Sequence, residues 1–210
     1  MSASSFDAVE MIRKRPGMYA GPLDDGTGLH AMLFELVANA ANEALSGHCD
    51  RIDIVLNAGG AATVRDNGRG IPVDIHPRTS KPIAEILMTT PVGGARFGLG
   101  MAARPIGGVG VVVVNALSEA LDLRIRRDGK AYAMRFCRGK LETALQIVGD
   151  TAIHGTEIAF TPDATIFPSN AFDIAVIDRR LRALATHNAG ATVTLTDRRG
   201  AVPTEIQYRI

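Results

Sequence analysis

Cysteine is scarce in this chain, with only Cys49 and Cys137 in 210 residues. Two cysteines without paired spacing exclude both a disulfide framework and a structural zinc site, and they read as reduced thiols of a cytoplasmic protein. The five histidines are scattered, and none forms a ligand pair. An excess of one charge is lacking too: 23 basic and 22 acidic side chains leave a net charge of +1, which is not the footprint of a dedicated nucleic-acid binder. The clusters Arg124-Ile125-Arg126-Arg127 and Arg179-Arg180-Leu181-Arg182 therefore read as solvated faces. No apolar run approaches a membrane span, and the N-terminus has no secretory pattern. Low-complexity linkers and internal repeats are absent as well. A hydrophobic content of 46% over 210 residues can bury a substantial core, so residues 1–210 are expected to form one domain.

Periodicity and turn residues predict the elements. Helices are expected near residues 7–14, 28–46, 82–90, 109–118 and 171–188. A hairpin is expected over 51–65, with further strands near 121–127, 131–137, 142–148, 156–161, 192–197 and 203–209. A glycine-rich stretch occupies about 91–110. The fold class that follows is α/β (α+β), a two-layer sandwich with helices over one face of a mixed, largely antiparallel sheet.

The helix over 28–46 carries Phe34-Glu35-Leu36-Val37-Ala38-Asn39-Ala40-Ala41-Asn42-Glu43. At 100° per residue, Glu35, Asn39 and Asn42 share one stripe, while Leu33, Leu36, Val37, Ala40 and Ala44 cover the opposite side. A carboxylate in such a stripe can take a proton from an attacking water. An amide oxygen one turn away can help hold Mg²⁺, a hard ion that prefers oxygen ligands and keeps several waters. A solvated polar face is the plainer reading of the same stripe.

The hairpin ends in Arg65-Asp66-Asn67-Gly68-Arg69-Gly70-Ile71-Pro72. Gly68 and Gly70 let backbone approach a flat ligand, and Asp66 can accept a hydrogen bond from an adenine amino group. Asp-Asn-Gly is also an ordinary turn signal. Further on, Gly93-Gly94, Gly98, Gly100 and Gly107-Gly108-Val109-Gly110 lead into Val111-Val112-Val113-Val114. Glycine-rich backbone feeding a helix start exposes N–H groups suited to phosphate, although a surface loop would have the same composition. Polar helix, acid-glycine turn and phosphate loop in that order suggest a nucleotide site.

Several longer stretches carry a family resemblance. They are Arg13-Lys14-Arg15-Pro16-Gly17-Met18-Tyr19, Asp24-Asp25-Gly26-Thr27-Gly28-Leu29-His30, the Asp66-to-Pro72 turn, Gly108-Val109-Gly110 with Val114-Asn115-Ala116-Leu117-Ser118, and Gly155-Thr156. The chain resembles, from about residue 8 to its end, the ATPase domains of the bacterial gyrase B and topoisomerase IV B subunits, members of the GHKL superfamily with the Bergerat-type ATP-binding fold. The resemblance implies that Glu35 is the general base and that Asn39 is a protein ligand of Mg²⁺. It also implies that Asp66 binds the adenine amino group with support from Thr156. Arg69 would lie over the adenine edge and pair with Glu43, while Gly70, Ile71 and Pro72 line the pocket floor. Gly108, Val109 and Gly110 would belong to an ATP lid over about 91–110, contacting phosphates. Leu36, Ala40, Val64, Leu87, Met88 and Ile158 would form an apolar wall, with plain core packing the alternative for each. Arg127 corresponds to the arginine at the mouth of the pocket where aminocoumarin-type inhibitors dock, or else is a solvated strand-end charge. His30 belongs to the resemblance without a catalytic role.

The chain departs from the family pattern at several positions. Ala38 and Asn42 stand where the family usually has Asp. The lid reads Arg104-Pro105-Ile106-Gly107-Gly108-Val109-Gly110, where the family has a run resembling Gly-Gly-Leu-His-Gly-Val-Gly. Pro105 removes a backbone donor and fixes φ, and Arg104 is either a phosphate partner or a solvated charge. The chain is expected to be either a fragment of a longer subunit or a diverged small paralogue. For a fragment, the resemblance implies partners outside these residues: a second domain that lends a lysine to the γ-phosphate, the remainder of the B subunit, and an A-type subunit. DNA would be met only through the holoenzyme, no membrane is involved, and the isolated chain is expected to be a slowly hydrolysing monomer. Retention of Glu35 favours a catalytic lineage. The altered lid favours a diverged, non-hydrolysing nucleotide-binding or interaction protein of the same fold.

Overall fold

The computed structural model describes residues 7–91, 110–169, 171–187 and 189–210. Helix α1 (Ala8–Lys14) starts at Asp7, whose carboxylate accepts the Glu10 N–H at 3.2 Å, a side-chain cap on an otherwise orphan donor. A short helix α2 (Gly17–Ala20) follows Pro16; its four residues are too few to show a period in the sequence. Helix α3 (Thr27–Leu45) opens after Gly26 at φ +81°. Helices α4 (Ile83–Thr89), α5 (Val111–Leu117) and α6 (Ile174–Leu184) complete the helical set among the described residues. The last of these is capped by Asp173, which accepts the Ala175 N–H at 2.8 Å. It is shorter than the expected 171–188 and ends in a 3₁₀ turn.

Eight strands form one sheet: β1 (Arg51–Leu56), β2 (Ala62–Asp66), β3 (Ser118–Arg127), β4 (Lys130–Cys137), β5 (Lys140–Asp150), β6 (Gly155–Pro162), β7 (Thr192–Asp197) and β8 (Thr204–Arg209). Their order is β5-β4-β3-β6-β2-β1-β7-β8. Every pairing is antiparallel except β1 with β7, so the expected mixed, largely antiparallel sheet is what forms. Two tight hairpins build its outer half. Asp128-Gly129 and Arg138-Gly139 all have φ between 50° and 79°, the left-handed pair that two-residue type I′ turns require.

Register explains how the sheet divides into a dry and a wet face. Met134, Leu123, Ile158, Val64, Ile54 and Leu195 lie opposite one another across six strands, and all six are buried. One residue along, Arg124, Glu157, Arg65 and Asp53 form a row of alternating charge. Successive side chains point to opposite faces, so the helices cover the first row and leave the second to solvent and ion pairs such as Arg126–Glu157 at 3.1 Å.

Helix α3 packs on β1, β2, α2 and α5. It is not two-faced as its stripe suggested: Glu35 and Asn42 are buried together with Leu33, Leu36, Val37 and Ala40. Asn39 alone of the three polar stripe residues is exposed. Neighbours on several sides bury the helix nearly all round. Helix α6 rests against it, with the Arg180 guanidinium 4.5 Å above the Phe34 ring. That cluster is therefore only partly the solvated face expected of it.

Candidate functional site

The site grows from the end of β2. Asp66 Oδ1 accepts the Gly68 N–H at 2.8 Å and the Thr156 N–H at 3.2 Å. Among the described residues no protein donor meets Oδ2, which leaves that oxygen available to a ligand. Burial pushes the Asp66 carboxyl up to about 6, against the lowering pull of the two backbone N–H groups; Glu43 adds to the rise and His154 opposes it. The carboxyl thus sits where a modest change in surroundings sets its charge.

Glycines close the turn around this acid. Gly70 has φ +77°, and a Cβ there would come within 2.8 Å of the Arg126 carbonyl oxygen. A Cβ at Gly155, φ +133°, would collide with the Asp66 carbonyl oxygen, so close approach of β6 to the end of β2 requires glycine. Thr156 Oγ1 accepts the Ile71 N–H at 3.2 Å, and Arg127 Nη1 donates to the Gly70 carbonyl at 2.9 Å. Arg127 is therefore tied to the turn rather than free at a strand end. Arg69 meets Glu43 in a two-pronged pair, Nε to Oε2 at 3.0 Å and Nη2 to Oε1 at 2.8 Å, while its backbone N–H donates to Oε2 at 3.2 Å. Burial raises the Glu43 pKa, but these Arg69 contacts outweigh it and hold the carboxyl below its ordinary value.

On the α3 side, Glu35 is 8% exposed and its Oε2 accepts the Gly110 N–H at 2.9 Å. This bond joins the helix to the start of α5. Asn39 lies one helical turn beyond Glu35, on the same face, and is exposed. Leu36, Ala40, Val64, Met88 and Ile158 belong to the hydrophobic core, whereas Leu87 is half-buried. Ile71 packs against that core from the turn, and Pro72 beside it is half-buried. Gly108 and Val109, like Arg104 and Pro105, lie outside the described residues. Among the described residues no cluster of three or more His, Cys, Asp or Glu could hold a metal by itself.

Some of the resembling residues turn out to hold the scaffold. Arg13 donates from Nη1 to the Ala116 carbonyl and from Nη2 to Asp163 Oδ2, both at 2.7 Å, tying α1 to α5 and to the end of β6. Burial would raise the Asp163 pKa, but the Thr165 hydroxyl, the Arg13 guanidinium and the Thr165 N–H lower it to about 2. His30 accepts the Asp173 N–H at Nε2, 2.9 Å, so its proton sits on Nδ1 and is donated to the Gly26 carbonyl at 2.7 Å. It thereby locks the start of α3 to the cap of α6. His154, overlooked in the sequence because it sits alone in a loop, directs Nδ1 at the Gly68 carbonyl, 2.6 Å away.

A family model described as histidine kinase-, DNA gyrase B- and HSP90-like ATPase matches residues 24–166. The chain belongs to this ATPase family. The matched span includes Glu35, Asn39, Asp66, Arg69, Arg127 and Thr156. Similar proteins of this family include the DNA gyrase B subunit of Caulobacter vibrioides, 43% identical over 97% of this chain and 27% of the relative. The corresponding protein of Rickettsia typhi is 47% identical over 94% of this chain and 25% of its own length. That of Thermotoga maritima is 43% identical over 94% and 31%. The chain thus spans between a quarter and a third of the length of these relatives. No helix among the described residues is long and apolar enough to cross a membrane.

Proposed function

We propose that this chain is the ATP-binding and ATP-hydrolysing domain of a cytoplasmic type IIA DNA topoisomerase, from a B subunit of the gyrase or topoisomerase IV type. The observation that carries this reading is the Asp66 carboxylate, anchored through Oδ1 by Gly68 and Thr156 with Oδ2 left for a ligand. In this reading Asp66 accepts from the adenine amino group, and Thr156 holds both the acid and the Ile71 backbone. Arg69, Gly70, Ile71 and Pro72 border the base, with Arg127 at the mouth. Gly108, Val109 and Gly110 serve the phosphates. Glu35 removes a proton from the attacking water; the Gly110 N–H on Oε2 takes up one of the several acceptor positions of a carboxylate.

The residues present suit Mg²⁺ delivered with the nucleotide rather than a preformed protein cage. Asn39 is exposed one turn from Glu35, and one amide oxygen is enough where phosphate oxygens and waters fill the remaining positions. Asn39 is the residue that would hold the ion, whose chemistry is to neutralise developing phosphate charge.

Outside this chain, we assign the remainder of the B subunit and an A-type subunit as partners. DNA is met only through the assembled enzyme, and the isolated chain is a monomer with slow turnover. Calorimetric titration with a non-hydrolysable ATP analogue and Mg²⁺ tests the reading: stoichiometric binding that weakens in Asp66→Asn supports it, and absence of binding removes it. Pro105, standing where the family has glycine, favours a second reading in which the domain binds nucleotide without hydrolysing it.

A further inference from the structure

We infer that His154 is a positioning residue for adenine recognition, clamping the Gly68–Arg69 peptide so that Asp66 is held in its ligand-accepting orientation. This rests on the nucleotide-site reading. The peptide joining Gly68 to Arg69 is held at both ends: its carbonyl receives His154 Nδ1 at 2.6 Å, and its N–H donates to Glu43 Oε2 at 3.2 Å. Gly68 itself donates its N–H to Asp66 Oδ1 at 2.8 Å. A glycine without these restraints samples far more backbone conformations than any other residue, and a displacement of Gly68 would carry its own N–H, on the preceding peptide, away from Asp66 Oδ1. A stiffer residue at Gly68 would displace the acid it serves, because a Cβ would come within 2.9 Å of Asp66 Oδ1 and 3.1 Å of the Glu43 side chain. The rigidity has to come from outside the turn. Glu43 supplies it from α3, and His154 supplies it from the loop before β6.

That loop is itself fixed. The Ile153 N–H donates to Thr151 Oγ1 at 3.2 Å, and Gly155 packs directly on the Asp66 backbone. The Asp66 carboxyl also feels His154 as a group that favours its charged form, so the imidazole acts on the acid both through the turn and through its field. His154 is exposed and belongs to no core cluster, so its removal leaves the fold intact.

The test compares binding of ATP with that of purine riboside triphosphate, which lacks the 6-amino group, to wild type, His154→Ala and His154→Asn. Asn places an amide N–H close to the position of Nδ1. His154→Ala is expected to weaken ATP binding roughly three- to tenfold, the worth of one ordering hydrogen bond, with little change for the analogue. His154→Asn should restore ATP binding to within about twofold. Unchanged ATP affinity in His154→Ala, or an equal loss for both nucleotides, overturns the inference while leaving the adenine reading in place. A wild-type protein that binds both nucleotides equally well removes the adenine reading and the inference with it.

Discussion

Arg13 and Asp163 lie 150 positions apart in the chain, and their side chains meet at 2.7 Å. Asp163 is 1% exposed, and Arg138 Nε reaches the same oxygen, Oδ2, at 3.2 Å. The two arginines are not equivalent, because Arg13 also caps the Ala116 carbonyl and is the more buried. Arg13→Ala should cost about 2–4 kcal/mol by leaving a buried carboxylate under-compensated. Arg138→Ala, whose side chain is 49% exposed, should cost about 1 kcal/mol or less. Urea unfolding midpoints of the two variants check the asymmetry. The Asp163 pKa is lowered by folding, so its stabilisation is complete above the unfolded value near 4 and is lost as pH falls toward 2.

Asp66 has the opposite sign. Folding raises its pKa to about 6, so the folded state holds the proton more tightly than the unfolded chain. Stability contributed by that protonated form is present below about 4 and is lost as pH rises through 6. Asp66→Asn should therefore be more stable than wild type at pH 7.5, on the order of 1–3 kcal/mol, and gain little at pH 4. The same variant should bind ATP more weakly, because its amide can present a donor where the adenine amino group needs an acceptor. The difference between wild-type and variant ATP affinity should shrink as pH falls from 7.5 to 5. Thermal unfolding and titration of both proteins across that range give the two readouts.

Gly155→Ala should damage the site through the backbone alone. The residue has φ +133°, and the added methyl group would strike the Asp66 carbonyl oxygen, so either β6 or the end of β2 must move. A loss of about 2–4 kcal/mol is expected, together with weakened nucleotide binding. Chemical denaturation and calorimetry of the variant measure both.

The parts of this architecture legible in the sequence are those with local causes. Alternation of Ile52 and Ile54 with Arg51 and Asp53, running on into Val55 and Leu56, marks β1, and the acid-glycine turn marks its own geometry because Gly70 needs a positive φ. Burial of α3 on nearly all sides is not legible, since a polar stripe of Glu35, Asn39 and Asn42 looks the same whether it faces solvent or a site. Arg126 and Arg127, expected in a solvated cluster, instead meet Glu157 and the Gly70 carbonyl, because β6 and the turn arrive from distant sequence. Arg13–Asp163 and His154–Gly68 are hidden for the same reason. Each depends on the order of strands in the sheet rather than on any neighbour in the chain.

Single-turnover hydrolysis of ATP by wild type and Glu35→Ala tests the central claim most directly. Glu35 is buried beside the start of α5, with its carboxylate held by the Gly110 N–H, and a positioned general base supplies about 10²–10⁴-fold. The account predicts that the variant still binds ATP analogue with near wild-type affinity while its hydrolysis rate falls by at least about a hundredfold. Equal rates in the two proteins would contradict it, because the proton would then leave the water by some route other than Glu35.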